Sequence, residues 1–298
     1  MKVLITGGSG FLGKHLQKYF ETRMTVKLLG RNDDSHFRCD LAKNIPVIDE
    51  YFDLVIHNAG KAHSVPRSED DAAIFYEVNH QGTQRLLDAL GSQPPKSFVF
   101  ISSVSVYGLD EGENISEDCS LNATDPYGKS KALAEKAVQE WCNKNNVTCV
   151  IFRLPLLIGA DAPGNLAAMV KAIKAGYYFN VAKGSAKKSM LLVKDVPIAI
   201  ESTIGQTGIF NLTDGCHPSF YELSQNIALQ LGRKHILNMP YILAKSLAIV
   251  GDFFGGKFPI NSHKLSKIIC NLTFDDSKAR TLFGWKPTPV LKEFKING

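Results

Sequence analysis

Val3-Leu4-Ile5-Thr6-Gly7-Gly8-Ser9-Gly10-Phe11-Leu12-Gly13 opens the chain: a short apolar run, then three glycines spaced three apart, then residues that favour helix to about Phe20. A strand, a Gly-x-x-Gly-x-x-Gly turn and a helix in succession is the context in which such glycines bind a dinucleotide. Gly7 permits the tight turn, Gly10 lets backbone approach a pyrophosphate, and Gly13 lets the helix lie close to the sheet. The helix start at Phe11 and Leu12 offers N–H groups to the anion. A merely flexible glycine turn would not be expected directly after so clean a strand.

Outward from this stretch the chain alternates strand and helix. Thr25 to Leu29 reads as the second strand, with Gly30 and Arg31 at its end. A carboxylate there suits NAD and an arginine suits a 2′-phosphate, so Arg31 tilts the cofactor toward NADP, while Asp33 and Asp34 keep NAD open. A short third strand ends near Cys39. Asp40, with Leu41 beside it, can accept from an adenine amine or simply cap the next turn. Phe52 to His57 is the fourth strand, and Asn58-Ala59-Gly60 at its carboxyl end are small enough for a cofactor to lie against backbone. Lys61 and His63 face either phosphate and substrate or solvent. Asn79 lies at the start of a helix carrying Leu86, Leu87 and Leu90, where cofactor contact is one role and structure the other. Ser97 to Ser102 is the fifth strand, and Ser102 and Ser103 stand at the rim where open parallel sheets bind ligands. Thr148 to Leu154 is the sixth.

Between the fifth and sixth strands, Asp125-Pro126-Tyr127-Gly128-Lys129-Ser130-Lys131 leads into a helical run. Tyr127 and Lys131 are one turn apart and share a face. A phenol with an ordinary pKa of ~10 is a poor base at neutral pH. An ammonium beside it is expected to pull that value down, so that Tyr127 can take a proton from a hydroxyl or return one to a carbonyl. Taken alone, such a pair is common on helix surfaces.

Composition is that of a globular protein, and 298 residues are enough chain for one large α/β domain or a two-lobed molecule with a real core. The net charge of +5 involves no long basic run interleaved with aromatics, so nucleic acid is not expected as a partner; Lys183, Lys187, Lys188, Lys264 and Lys267 suit a small anion. The six cysteines show neither Cys-x-x-Cys nor metal-like spacing, which reads as reduced thiols, no metal and a cytoplasmic location. No room for a signal peptide precedes the first strand. Tyr241 to Phe258 is apolar but broken by Lys245, Asp252 and glycines, and is expected to be a buried helix with no membrane contact.

Four motifs in register now match a family. The opening glycine turn, His57-Asn58-Ala59-Gly60, Ser102-Ser103-Val104-Ser105-Val106-Tyr107-Gly108 and Tyr127-Gly128-Lys129-Ser130-Lys131 resemble the extended short-chain dehydrogenase/reductases, the NAD-dependent epimerase/dehydratase group. Phe274-Asp275-Asp276-Ser277-Lys278-Ala279-Arg280 and Leu282-Phe283-Gly284-Trp285-Lys286-Pro287 resemble that group's C-terminal signature, so the likeness spans the chain. It implies a catalytic set of Ser103, Tyr127 and Lys131, with Lys131 also holding the nicotinamide ribose. Leu154 ends the sixth strand, at the family's Arg-x-Pro-x-x-x-Gly turn. Dehydratases of the group carry an Asp-Glu pair where Val104 and Ser105 stand, and sugar decarboxylases a glutamate at Ser105. Without those acids the implied chemistry is redox at a carbinol, in a nucleotide-sugar 4-epimerase or a 4-ketosugar reductase, with Ser105 beside the substrate.

In the second half, Asn165 stands where relatives place an asparagine near the nucleotide diphosphate, or else caps its helix. Lys188 stands where they place a phosphate-binding arginine, and a lysine keeps the charge without the bidentate fork. Asp195 is expected to cap a helix, Gly208 to Leu212 to be the last strand, and Tyr221 to Leu231 a helix. The fold class is thus α/β: a Rossmann-type doubly wound parallel sheet at 1–154 and a smaller mixed substrate lobe at 155–298, some of whose segments return to the sheet. Family analogy suggests a homodimer. The rival readings are an NADPH-dependent reductase of a non-sugar ketone and a non-catalytic nicotinamide sensor; retention of both Tyr127 and Lys131 speaks against the latter.

Overall fold

Leu54–His57 is buried at every position and Ser97–Ser103 at all but the last, as strands are when helices cover both faces of a parallel sheet. The computed structural model describes residues 1–62, 66, 68–233, 236–254 and 261–296. In chain order its first half is β1 (Lys2–Thr6), α1 (Phe11–Phe20), β2 (Thr25–Gly30), β3 (Phe37–Arg38), β4 (Leu54–His57), α2 (Glu69–Phe75), a π-helical turn (Tyr76–Gln81), α3 (Gly82–Leu90), β5 (Ser97–Ser103), a 3-10 turn (Val104–Tyr107), β6 (Gly112–Ile115), α4 (Pro126–Lys144) and β7 (Thr148–Leu154). Then come β8 (Leu156–Ile158), α5 (Asn165–Ala175), β9 (Phe179–Val181), β10 (Met190–Leu192), α6 (Val196–Ser202), β11 (Gly208–Asn211), α7 (Phe220–Gln230), β12 (Leu237–Met239), α8 (Tyr241–Phe254), α9 (Ser262–Ile269), β13 (Leu272–Phe274), α10 (Ser277–Phe283) and α11 (Val290–Glu293).

The main sheet has seven parallel strands in the order β11-β7-β5-β4-β1-β2-β3. The chain moves outward one way from β1 and the other way from β4, so the strand order reverses between them. Ligands bind at such a switch point, beyond the carboxyl ends of the strands. Alternation along each strand divides the core. Val3 and Ile5 pack with Leu12, Leu16 and Phe20 of α1 and with Val196 and Ile200 of α6. Leu4, Val55, Phe98 and Phe100 pack with Leu86, Leu87 and Leu90 of α3 and with Ala134 and Val138 of α4. Three further two-stranded pairs, β8–β10, β9–β12 and β6–β13, and a core shared by α5, α7 and α11 make up the remainder.

Three expectations are corrected. Gly208–Asn211 is not the last strand, since β12 and β13 follow and pair with the short earlier strands β9 and β6. Asp195 precedes α6 but makes no side-chain cap there; its carboxylate accepts from the backbone N–H and hydroxyl of Thr288 and ties down the C-terminal segment. The apolar helix at Tyr241 is not buried. It ends at Phe254 among the described residues, and only Ala244, Ala248 and Gly251 are buried along it. Among the described residues no helix is long and apolar enough to cross a membrane.

Candidate active site

The opening glycines are shaped by close approach. Gly7 has φ 69°, and a Cβ on it would stand 2.8 Å from the backbone of Ala59, in the loop after β4. A Cβ on Gly13 would collide with the Gly7 carbonyl oxygen, so α1 packs against the turn only because residue 13 has no side chain. The Asn58 amide donates to the Gly7 carbonyl at 3.1 Å and closes the two loops of the switch point together. Helix α1 begins at Phe11 with no side-chain cap and no acid in its first turn, leaving its first N–H groups and positive end suited to an anion. This cradle fits a dinucleotide pyrophosphate.

Beneath it lies a buried relay. The Thr6 hydroxyl accepts from Ala59 N–H at 3.0 Å and sits 2.7 Å from His57 Nδ1. His57 Nε2 is 2.9 Å from the Thr83 hydroxyl, which donates to the Asn79 carbonyl at 2.6 Å. Donor counting then places the Thr6 proton on the Nδ1 side and the ring proton on Nε2. Burial, aided by the nearby Lys131 charge, lowers the His57 pKa to about 3, so the ring is neutral.

Asn79 is fully engaged. Its oxygen accepts from Lys61 N–H at 2.7 Å, and its amide donates to the Lys61 carbonyl and to the Ser130 hydroxyl. It clamps the loop after β4 to α4. Ser102 likewise turns its hydroxyl to buried Glu135 and away from the rim. Asp40 accepts from Ala42 N–H, and the Leu41 carbonyl accepts from Arg85. Leu154 is buried at the end of β7. At the far end of the switch point Arg31, Arg38 and Asp40 line a groove of about 620 Å³. Arg38 pairs with Asp33 at 2.7 Å, which occupies one of the carboxylates that would suit NAD.

Tyr127, Lys131 and Ser103 converge at the carboxyl edge of β5. Asp125 caps α4 by accepting from Gly128 N–H at 3.0 Å. A Cβ on Gly128 would stand 2.5 Å from the Ser105 carbonyl, so this glycine lets α4 approach the turn that follows Ser103. The Ser103 hydroxyl accepts from Ser105 N–H, donates to the Ser105 hydroxyl, and lies within hydrogen-bonding influence of Tyr127. Lys131 is buried, and its ammonium donates to the Ile101 carbonyl at 2.8 Å with Gly60 directly beside it. Burial lowers its pKa to about 8, opposed by Glu135.

The expected tuning of Tyr127 is not what the structure shows. Burial raises its pKa above the ordinary value, Asp125 adds to that, and only the Ser103 hydrogen bond opposes it. The desolvation penalty on a phenolate outweighs the Ser103 hydrogen bond, and the Lys131 ammonium is moored to β5. The phenol is therefore held protonated.

Asn165 is exposed at the first turn of α5, where Gly164 is the capping residue and Asn165 is not. Lys188 is half-buried, and burial holds its ammonium below the ordinary pKa, opposed by Cys270 and Asp110 and aided by Lys267. Lys267 and His263 both reach Asp110, at 3.1 and 3.5 Å. The structure thus brings Lys267 and Asp110 up to Lys188. His63 lies outside the described residues, and among those residues no cluster could hold a metal ion.

Sequence reasoning missed Glu135, Gly128 and Asp110. Glu135 is one turn beyond Lys131, on the face that also carries Tyr127, and that spacing was the available signal. It forms a buried ion pair with Arg153 at 2.8 Å, and Arg153 also donates to the Tyr107 hydroxyl. This pair locks α4 to β7 directly behind the Lys131 ammonium.

Residues 3–206 match the model of the NAD dependent epimerase/dehydratase family. The chain is 26% identical to the N-acetyl-alpha-D-glucosaminyl-diphospho-ditrans,octacis-undecaprenol 4-epimerase of Escherichia coli O157:H7, covering 94% of this chain and 88% of that one. It is 24% identical to the UDP-glucose 4-epimerase of Vibrio cholerae, over 98% and 92%. Among solved structures, RMD from Pseudomonas aeruginosa complexed with NADPH superimposes with a TM-score of 0.75 at 26% identity, over 98% of this chain and 95% of that one. The UDP-glucose 4-epimerase of Thermus thermophilus in complex with NAD has the same fold, with a TM-score of 0.72 at 22% identity, over 97% and 94%. With the glycine cradle at the switch point and the family match over most of its length, this chain belongs to the NAD dependent epimerase/dehydratase family and is an NAD(P)-dependent enzyme of the extended short-chain dehydrogenase/reductase fold.

Proposed function

We propose that the chain carries out hydride transfer at C4 of a nucleotide-linked sugar, as a 4-ketosugar reductase or a 4-epimerase. The observation that supports this best is the convergence of Ser103, Tyr127 and Lys131 at the sheet edge beside the loop at Gly60. In this reading residues 1–154 form the dinucleotide half and 155–298 mainly the substrate half, with a homodimer packed through two helices.

The dinucleotide would lie over Gly7, Gly10 and Gly13, its adenosine end reaching Arg31 and Asp40, and it supplies the carrier of the hydride. Arg31 and Arg38 in one groove favour a 2′-phosphate and hence NADP. Tyr127, held protonated, gives its proton to the sugar O4 as a ketone there becomes an alcohol, and takes it back in the reverse direction. Ser103 holds that oxygen in place. Lys131 spends one N–H on Ile101 and keeps two for the ribose hydroxyls. Lys188, with Lys267 near it, draws the diphosphate of the substrate, and Asn165 and Ser105 contact it further along. The E. coli relative acts on a sugar carried by a polyprenyl diphosphate, so the diphosphate-linked sugar is the feature shared between candidate carriers.

The test is turnover of purified protein with NADPH or NADH against UDP- and GDP-sugars, their 4-keto forms and a polyprenyl-diphosphate N-acetylhexosamine. Stoichiometric cofactor consumption marks a reductase; interconversion without net consumption marks an epimerase. Tyr127→Phe is expected to lower turnover by roughly 10²–10⁴. Equal turnover by that variant, or no sugar converted with either cofactor, would overturn the reading.

A further inference from the structure

Helix α8 is packed inside out. Its inward face is Ala244, Ala248 and Gly251, with the two alanines seated among Leu265, Val181, Met239 and Ile269. Its outward face, at the spacing of a single helical stripe, is Ile242, Ser246, Ile249 and Phe253. Ile242 is 79% exposed and Phe253 86%. The Ser246 hydroxyl donates to the Ile242 carbonyl, so the polar group on the stripe is turned back onto its own backbone. Leu243 and Val250 are exposed beside it and widen the apolar surface.

The surface continues past the helix. Val181 on β9 and Met239 on β12 pack under α8, and Phe179 and Leu237 lie two residues earlier on the same strands, on the same face. Phe179 and Leu237 are register partners and both are exposed. A helix serving only the core puts its large side chains inward. A contiguous exposed apolar set of this kind marks an interaction surface, where scattered single residues would not.

Charge decides between the two ways of covering it. Lys245 flanks the stripe, and exposed Lys183 follows β9. The neighbouring acid, Asp252, is held by the N–H and hydroxyl of Ser262. Folded onto a second copy, these lysines would meet like charges. Anionic headgroups would meet them with the opposite sign, while acyl chains receive the apolar stripe.

We propose that the outward stripe of α8, together with Phe179 and Leu237, seats this chain on the surface of an anionic lipid bilayer. The fourteen described residues of the helix are too short to span the hydrocarbon, so α8 is placed in the plane of the interface. The expectation of no membrane contact rested on burial of this helix, which its exposure removes. The inference is independent of the chemistry at Tyr127.

The test is flotation of the full chain with vesicles of phosphatidylcholine and phosphatidylglycerol, at low and high salt. The parent is expected to float with the vesicles and to be weakened by salt. The double variant I242S/F253S should lose about tenfold or more in partitioning, with its thermal midpoint unchanged. Failure of the parent to float at low salt, or equal flotation of the variant, would overturn the proposal. So would a parent dimer that the variant turns into a monomer while neither binds vesicles, since the face would then be a contact between copies.

Discussion

The Lys131 ammonium donates to the carbonyl oxygen of Ile101 at 2.8 Å, so the cation one turn from Tyr127 is anchored to the strand that carries Ser103. Anchoring fixes where the charge sits, and burial makes that charge conditional on pH.

With its pKa lowered to about 8, Lys131 loses its proton as pH rises through that value. If the charged form is required, kcat/KM of the free enzyme falls above about pH 8, by up to tenfold per unit. Lys131→Arg stays charged there and should keep whatever activity it retains without that alkaline fall. Profiles of kcat/KM against pH for parent and variant check this, and an identical alkaline limb in both would refute it.

His57 makes stability itself depend on pH. Its folded pKa, about 3, lies below the ordinary value near 6.5, so between those limits the unfolded chain binds the extra proton. Stability is complete above about 6.5 and declines as pH falls toward 3, at roughly 1.4 kcal/mol per unit at most. Denaturant midpoints at pH 7 and pH 5 should differ for the parent and differ less for His57→Gln.

Glu135 and Arg153 stand or fall together. Their side chains are 0% and 4% exposed, so Glu135→Gln leaves a guanidinium buried without its counter-charge. A loss of about 3–5 kcal/mol is expected. Arg153→Gln should cost a similar amount, and the double variant much less than the sum of the two. Additive losses in chemical denaturation would show that the pair is not a unit.

How much of this was legible from sequence depends on whether the signal is local. The glycine turn, the apolar strands and the Tyr127–Lys131 spacing each depend on residues a few positions apart, and they yielded the sheet and the family. The direction in which Tyr127 is tuned was not legible, because it depends first on burial, which the tertiary packing decides, and on Ser103, 24 positions away. The Asp195 carboxylate, read as a cap, finds Thr288 instead, 93 residues away. The Tyr241 helix was read as buried because its composition is apolar, but composition does not say which face meets the core.

By itself the sequence determined the seven strands of the main sheet, the glycine cradle and the set of reactive side chains, since backbone propensity and side-chain chemistry are properties of short segments. Only the tertiary structure decided which of those side chains are spent on one another, what charge each carries, and that α8 turns its large residues outward. Those outcomes depend on desolvation and on partners brought together from distant parts of the chain.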